Sequence, residues 1–78
     1  MRELFLDTPE DLAWLAEVHC PIARGYPYAI LYGNEDSPTK VELFADNRIT
    51  CVPTVLEMDQ KDRKLKVTSW GTKYKEKL

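Results

Sequence analysis

Residues 2–6 alternate at a period of two, with Leu4 and Leu6 on one side and Glu3 and Phe5 on the other, as in a short strand. Asp7 breaks that run, and the residues after it carry the chemistry of a helix start. Thr8 is suited to the N-cap, Pro9 to the first helical position where its missing N–H costs nothing, and Glu10 and Asp11 to the positive end of the helix dipole. Asp11, three residues after Thr8, gives an imperfect capping box. Leu12, Leu15, Ala16, Val18, His19 and Ile22 then share one arc at 3.6 residues per turn, whereas Glu10, Ala13 and Glu17 face away. The spacing predicts a helix over residues 9–20 with one apolar side, stopped by Pro21.

Period two returns after Arg24-Gly25. Tyr26, Tyr28, Ile30 and Tyr32 alternate with Pro27, Ala29, Leu31 and Gly33, so 26–32 reads as a central strand apolar on both faces. Gly33 to Pro38 is dense in turn formers and predicts a loop with an acidic tip at Glu35 and Asp36. Lys40 to Ala45 sets Val41, Leu43 and Ala45 against Glu42 and Phe44; Asp46-Asn47 ends it, and 48–51 reads as a bend or single turn. Thr54 to Met58 places Thr54, Leu56 and Met58 opposite Val55 and Glu57, and 59–62 is a polar turn. In Lys64 to Trp70 the side of Leu65, Val67 and Ser69 opposes that of Lys66, Thr68 and Trp70, with the lysines suited to a sheet edge.

The order is β-α-β-β-β-β, which predicts an α+β fold: a mainly antiparallel sheet of about five strands with one N-terminal helix. The connections between strands are too short for crossover helices. Residues 1–70 are expected to form one globular domain, and 71–78, poor in apolar residues, a loose basic tail. One helix covers one face of such a sheet. The other face, carrying Phe5, Phe44, Val55 and Trp70 with Tyr28 and Tyr32, must meet water, close by curvature or meet a partner.

Composition sharpens this reading. At 78 residues, 44% hydrophobic and 31% charged, the chain is too apolar for an obligately disordered segment. No apolar stretch approaches the roughly 18 residues of a bilayer span, so no membrane partner is expected. A domain of this length buries only about 60% of its unfolded surface, which makes a homodimer a natural expectation. The opening residues reach only three consecutive apolar positions, short of a signal-peptide core, and two cysteines are too few for a disulfide scaffold; the expected compartment is the cytoplasm. Charge is segregated: residues 1–59 hold eleven acids and four basic groups, a net of −7, while residues 60–78 hold seven basic groups and two acids, a net of +5.

Candidate chemistry is sparse, and no enzyme, cofactor or metal is expected. His19 and Cys20 are adjacent, and neighbouring helix positions do not face one another, so imidazole activation of the thiol has poor geometry. Cys20, Cys51 and His19 lack the paired spacing of a zinc site. Asp7, Glu10 and Asp11 fit capping, and Glu35, Asp36, Asp59 and Asp62 fit turns. The segment Val52-Pro53-Thr54-Val55 resembles that of thioredoxin-like proteins, in which a cis-proline precedes a central strand beside the redox site. The resemblance implies, as an alternative fold, a reduced thioredoxin-like α/β sheet with a parallel central pair and a cis peptide before Pro53. The family's Cys-x-x-Cys has no counterpart at the start of the 9–20 helix, so dithiol exchange would lack its attacking pair.

Two functions from different classes follow. The first is a protein-interaction module, an inhibitor or regulator, that binds another protein or itself through Phe5, Phe44, Val55, Trp70, Tyr28 and Tyr32 inside a charged rim. The second is nucleic-acid contact through Arg63, Lys64, Lys66, Lys73 and Lys75, with Trp70 and Tyr74 for stacking.

Overall fold

A computed structural model describes residues 1–45 and 52–71. Five strands, β1 (Arg2–Phe5), β2 (Tyr28–Asn34), β3 (Ser37–Phe44), β4 (Thr54–Asp59) and β5 (Lys64–Ser69), form one sheet in the order β1-β2-β3-β4-β5 with every pair antiparallel. The α+β architecture and the β-α-β-β-β-β order follow the hydrophobic pattern. The thioredoxin-like alternative is overturned: the described residues contain no parallel pair and no cis peptide bond, the bond before Pro53 included. A parallel pair needs a crossover of a dozen or more residues, and neither the β2–β3 nor the β4–β5 connection has that length.

The helix is less regular than its sequence period. Helix α1 (Pro9–Trp14) starts with the Leu12 N–H on the Thr8 carbonyl at 3.0 Å, and the Thr8 side chain makes no capping hydrogen bond, so the expected box is not formed. From Leu15 to His19 the chain widens into a π turn, with the Cys20 N–H donating to the Leu15 carbonyl at 2.8 Å, and Pro21–Gly25 follows as a 3-10 turn. At 3.6 residues per turn, positions five apart would point about 140° from one another. The wider turn puts Leu15, Ala16 and Cys20 into the core together, while Val18, expected inside, is 62% exposed. Burial pushes the Cys20 thiol up to about 11, which keeps it protonated at neutral pH.

The helix-covered face is an aliphatic core of Leu4, Leu6, Leu15, Leu31, Val41, Leu43 and Leu56, with Ala16, Ala23 and Ala29 where backbones come close. Trp14, which the apolar arc did not include, is half-buried against it: its ring lies edge-on to His19 at 4.9 Å and beneath the Arg2 guanidinium at 5.7 Å. Thr54 is the one polar side chain fully buried among the described residues, and its hydroxyl meets the Tyr26 hydroxyl at 2.9 Å and accepts the Gly71 N–H at 3.0 Å. Gly71 must be glycine, because a Cβ there would stand 2.2 Å from the Val52 carbonyl oxygen.

Strand bounds moved where turn chemistry decided them. The six-residue loop expected at 33–38 is a tight hairpin in which Asn34 pairs Ser37, and the Asn34 Oδ1 accepts the Asp36 N–H at 2.8 Å. Gly33, at φ 88°, and a bulge that leaves Thr39 unpaired bring Pro38 opposite Gly33 and extend β3 to Ser37. The acidic tip is tied down, with Glu35 on Arg2 at 2.8 Å and its backbone oxygen 3.2 Å from His19 Nε2. The strand expected from Tyr26 begins at Tyr28, since the Pro27 carbonyl accepts the Leu6 N–H just beyond the last β1 pair. The bend expected at 48–51, Cys51 and the tail from 72 to 78 lie outside the described residues.

Candidate functional site

Antiparallel register sorts the helix-free face into rows running across the strands. The first row is aromatic: Phe5 pairs Tyr28 and Tyr28 pairs Phe44, with successive ring centroids 5.3 and 5.4 Å apart. Those separations suit tilted aromatic contacts, and they leave Tyr28 and Phe44 almost without accessible surface while Phe5, on the edge strand, stays 45% exposed. The second row runs Glu3, Ile30, Glu42, Val55 and Ser69. A third runs Tyr32, Lys40, Glu57 and Lys66. The face thus grades from aromatic at one end of the strands to charged at the other.

Its tyrosines are pinned by carboxylates. The Tyr28 hydroxyl donates to Glu3 Oε2 and the Tyr32 hydroxyl to Glu42 Oε1, each at 2.7 Å. Hydrogen bonding to a carboxylate favours the protonated phenol, so Glu3 pushes Tyr28 up to about 12 and Glu42 raises Tyr32. Lys40 completes the second cluster, 4.9 Å over the Tyr32 ring and 3.7 Å from Glu42 Oε2. Glu3, Glu42, Lys40 and Ile30 belong to this surface although sequence reasoning did not select them. The signal was in the alternation of each strand, and joining the strands required the register that two hairpins and two bulges set.

Of the residues expected at the interface, Phe5, Tyr28 and Phe44 meet directly, Tyr32 packs against the same cluster, and Val55 lies half-buried in the second row. Trp70 stands apart. A bulge in β5 leaves Thr68 without a partner and brings Ser69 opposite Val55, so Trp70 falls beyond the end of the strand, 62% exposed. Val52, 61% exposed, lies on the segment that Gly71 crosses closely. The result is an exposed aromatic and aliphatic surface with charged, accessible side chains beside it.

The basic set is divided. Lys66 is held by Asp62 and by Asp59 at 3.6 Å, while Arg63 and Lys64 stand exposed at the β4–β5 turn. Lys73, Tyr74 and Lys75 lie outside the described residues. Asp59 organises the turn by accepting the Lys61 and Asp62 N–H groups at 2.7 and 3.1 Å, and those bonds hold its carboxyl below the usual carboxylate range. Among the described residues no three His, Cys, Asp or Glu side chains are grouped as a metal ion would need, and no helix is long and apolar enough to cross a membrane. Compared with protein-family models, curated proteins and solved structures, the chain matches none.

Proposed function

We propose that this chain is a small non-catalytic protein-interaction module of the cytoplasm, which docks through the helix-free face of its sheet onto another protein or a second copy and regulates that partner by occupying its surface. The observation that carries this reading is the aromatic row, in which an exposed Phe5 leans on the Tyr28 ring, itself backed by Phe44. A patch whose side chains are ordered before contact loses little rotamer entropy on binding. The Tyr28 and Tyr32 hydroxyls already have acceptors, so covering them strands no phenol without a partner. Glu3, Lys40 and Glu42 supply the polar rim that orients a partner.

A photo-crosslinking phenylalanine analogue at position 5, compared with the same residue at the exposed helix position Glu10, tests the reading in the cells that make the chain. The expected result is discrete adducts from position 5, to a partner or a second copy, and none from position 10. Equal background labelling from both positions, with a monomer in light scattering, would overturn it.

A further inference from the structure

The covering layer stops short of the last hairpin. No residue of β5 is buried, and Leu65 and Val67 are only half-buried on the helix side of the sheet. Between the π turn and the β4–β5 hairpin runs an open groove of about 340 Å3, with Val18 and His19 on its wall, Pro21, Met58 and Leu65 completing the lining, and Arg63 and Lys64 at its rim. Beside it, β5 pairs only with β4, so among the described residues no strand occupies its outer edge. An unpaired edge next to an apolar groove has the two parts that strand addition uses: backbone groups for affinity, and pockets for alternate side chains.

Arg63 adds an independent observation. Its φ is 59°, a left-handed conformation that costs a branched or long side chain energy and suits Gly or Asn. The turn itself asks only for the backbone there, since the Arg63 N–H closes it on the Asp59 carbonyl at 2.7 Å. Keeping arginine at such a position keeps a guanidinium on the groove rim. Among the described residues no carboxylate lies within ion-pair distance of Arg63 or Lys64, whereas Lys66 is held by Asp59 and Asp62. Glu17, the one carboxylate in the groove wall, is engaged by Arg24 at 3.3 Å.

We propose that β5 accepts an extended acidic segment of another protein as a sixth strand, its apolar side chains seated over the groove beside Leu65 and Val18 and its carboxylates on the side of Lys64 and Arg63. The alternation of β5 dictates that pattern, because Leu65 and Val67 share the groove side while Lys64, which closes the rim, and Lys66 alternate with them along the strand, and an added strand repeats the period. Charge excludes the chain's own tail as the complement, since residues 72–78 hold three lysines and one glutamate. A nucleic-acid strand fits poorly: the one ring in the groove lining, His19, already packs edge-on with Trp14 and meets the Glu35 backbone oxygen.

Fluorescence anisotropy with a labelled Glu-Val-Glu-Val-Glu-Val-Glu peptide at low salt tests the proposal. The expected result is saturable binding at least tenfold tighter than that of the Lys-for-Glu peptide, of heptaglutamate or of an oligothymidylate. Methylating alternate amide nitrogens should abolish it. Arg63→Gly should weaken it about tenfold while the thermal midpoint stays level or rises, and Val18→Asp should weaken it comparably; Phe5→Asp, on the other face, should leave it unchanged. No binding at millimolar peptide, equal binding of heptaglutamate or of the oligonucleotide, or full affinity in Arg63→Gly would each overturn the proposal.

Discussion

Leu31 and Ile30 are neighbours on β2 that point to opposite faces of one sheet, and their surroundings differ in kind. Leu31 sits beneath the helix in an aliphatic core with no accessible surface; Ile30, 8% exposed, shares the other face with two tyrosines and a phenylalanine. The covered face excludes water with a second layer of chain. Among the described residues no helix lies over the open face, which becomes dense through rings that cover one another and carboxylates that satisfy their hydroxyls. A small chain can thus order a sheet face through its own side chains.

Truncating each neighbour breaks this comparison most directly. Leu31→Ala should cost about 3 to 5 kcal/mol, since the helix and the sheet cannot both collapse into the void, and that is a large part of a small domain's stability. Ile30→Ala should cost about 2 kcal/mol, because one side of the lost volume opens toward solvent. Urea unfolding followed by tryptophan fluorescence measures both. Equal losses would mean that the open face is as closed as the covered one, and the surface proposed for docking would lose its distinction.

Buried polarity separates the faces at a smaller scale. Thr54 lies in the covered face and serves two groups, the Tyr26 hydroxyl and the Gly71 N–H. Thr54→Val keeps the shape and removes the acceptor, so it should cost about 1 to 3 kcal/mol, with Thr54→Ser recovering most of the loss. Unchanged stability in the valine variant would show that water reaches Gly71 and that this end of the covered face is open as well.

What the chain made legible follows the same division. Period two assigned Leu4, Leu31, Val41, Leu43 and Leu56 to one side and Phe5, Tyr28 and Phe44 to the other, because one buried face fixes alternation strongly. It could not assemble the rows, since register depends on features that alternation does not encode: Asn34 bonding its own turn, Gly33 at positive φ, and bulges that leave Thr39 and Thr68 unpaired. The helix showed its start at Pro9 but not its widening after Trp14, a packing effect that turned Val18 outward and left it on the wall of the groove. The tyrosine–carboxylate pairs were equally hidden, Tyr28 and Glu3 being 25 residues apart in sequence.

The smallest expected effect tests how the open face is held. The Tyr28 hydroxyl donates to Glu3, and that bond raises its pKa from the ordinary value of 10.0 to about 12. Folding therefore favours the protonated phenol: the contribution is complete below pH 10 and is lost as pH climbs toward 12. Tyr28→Phe should cost about 0.5 to 1.5 kcal/mol at pH 8, less than the Thr54 change because water can reach Glu3 once the phenol is gone. At pH 11 the gap between Tyr28→Phe and the parent should narrow, since in the parent alone Tyr28 ionises on unfolding and draws the chain toward the unfolded state, while Tyr32, raised in the same direction by Glu42, does so in both. Urea midpoints at the two pH values decide the matter. A gap that stays constant would mean that the Tyr28–Glu3 contact contributes packing alone, and that the aromatic row keeps its order without the carboxylate.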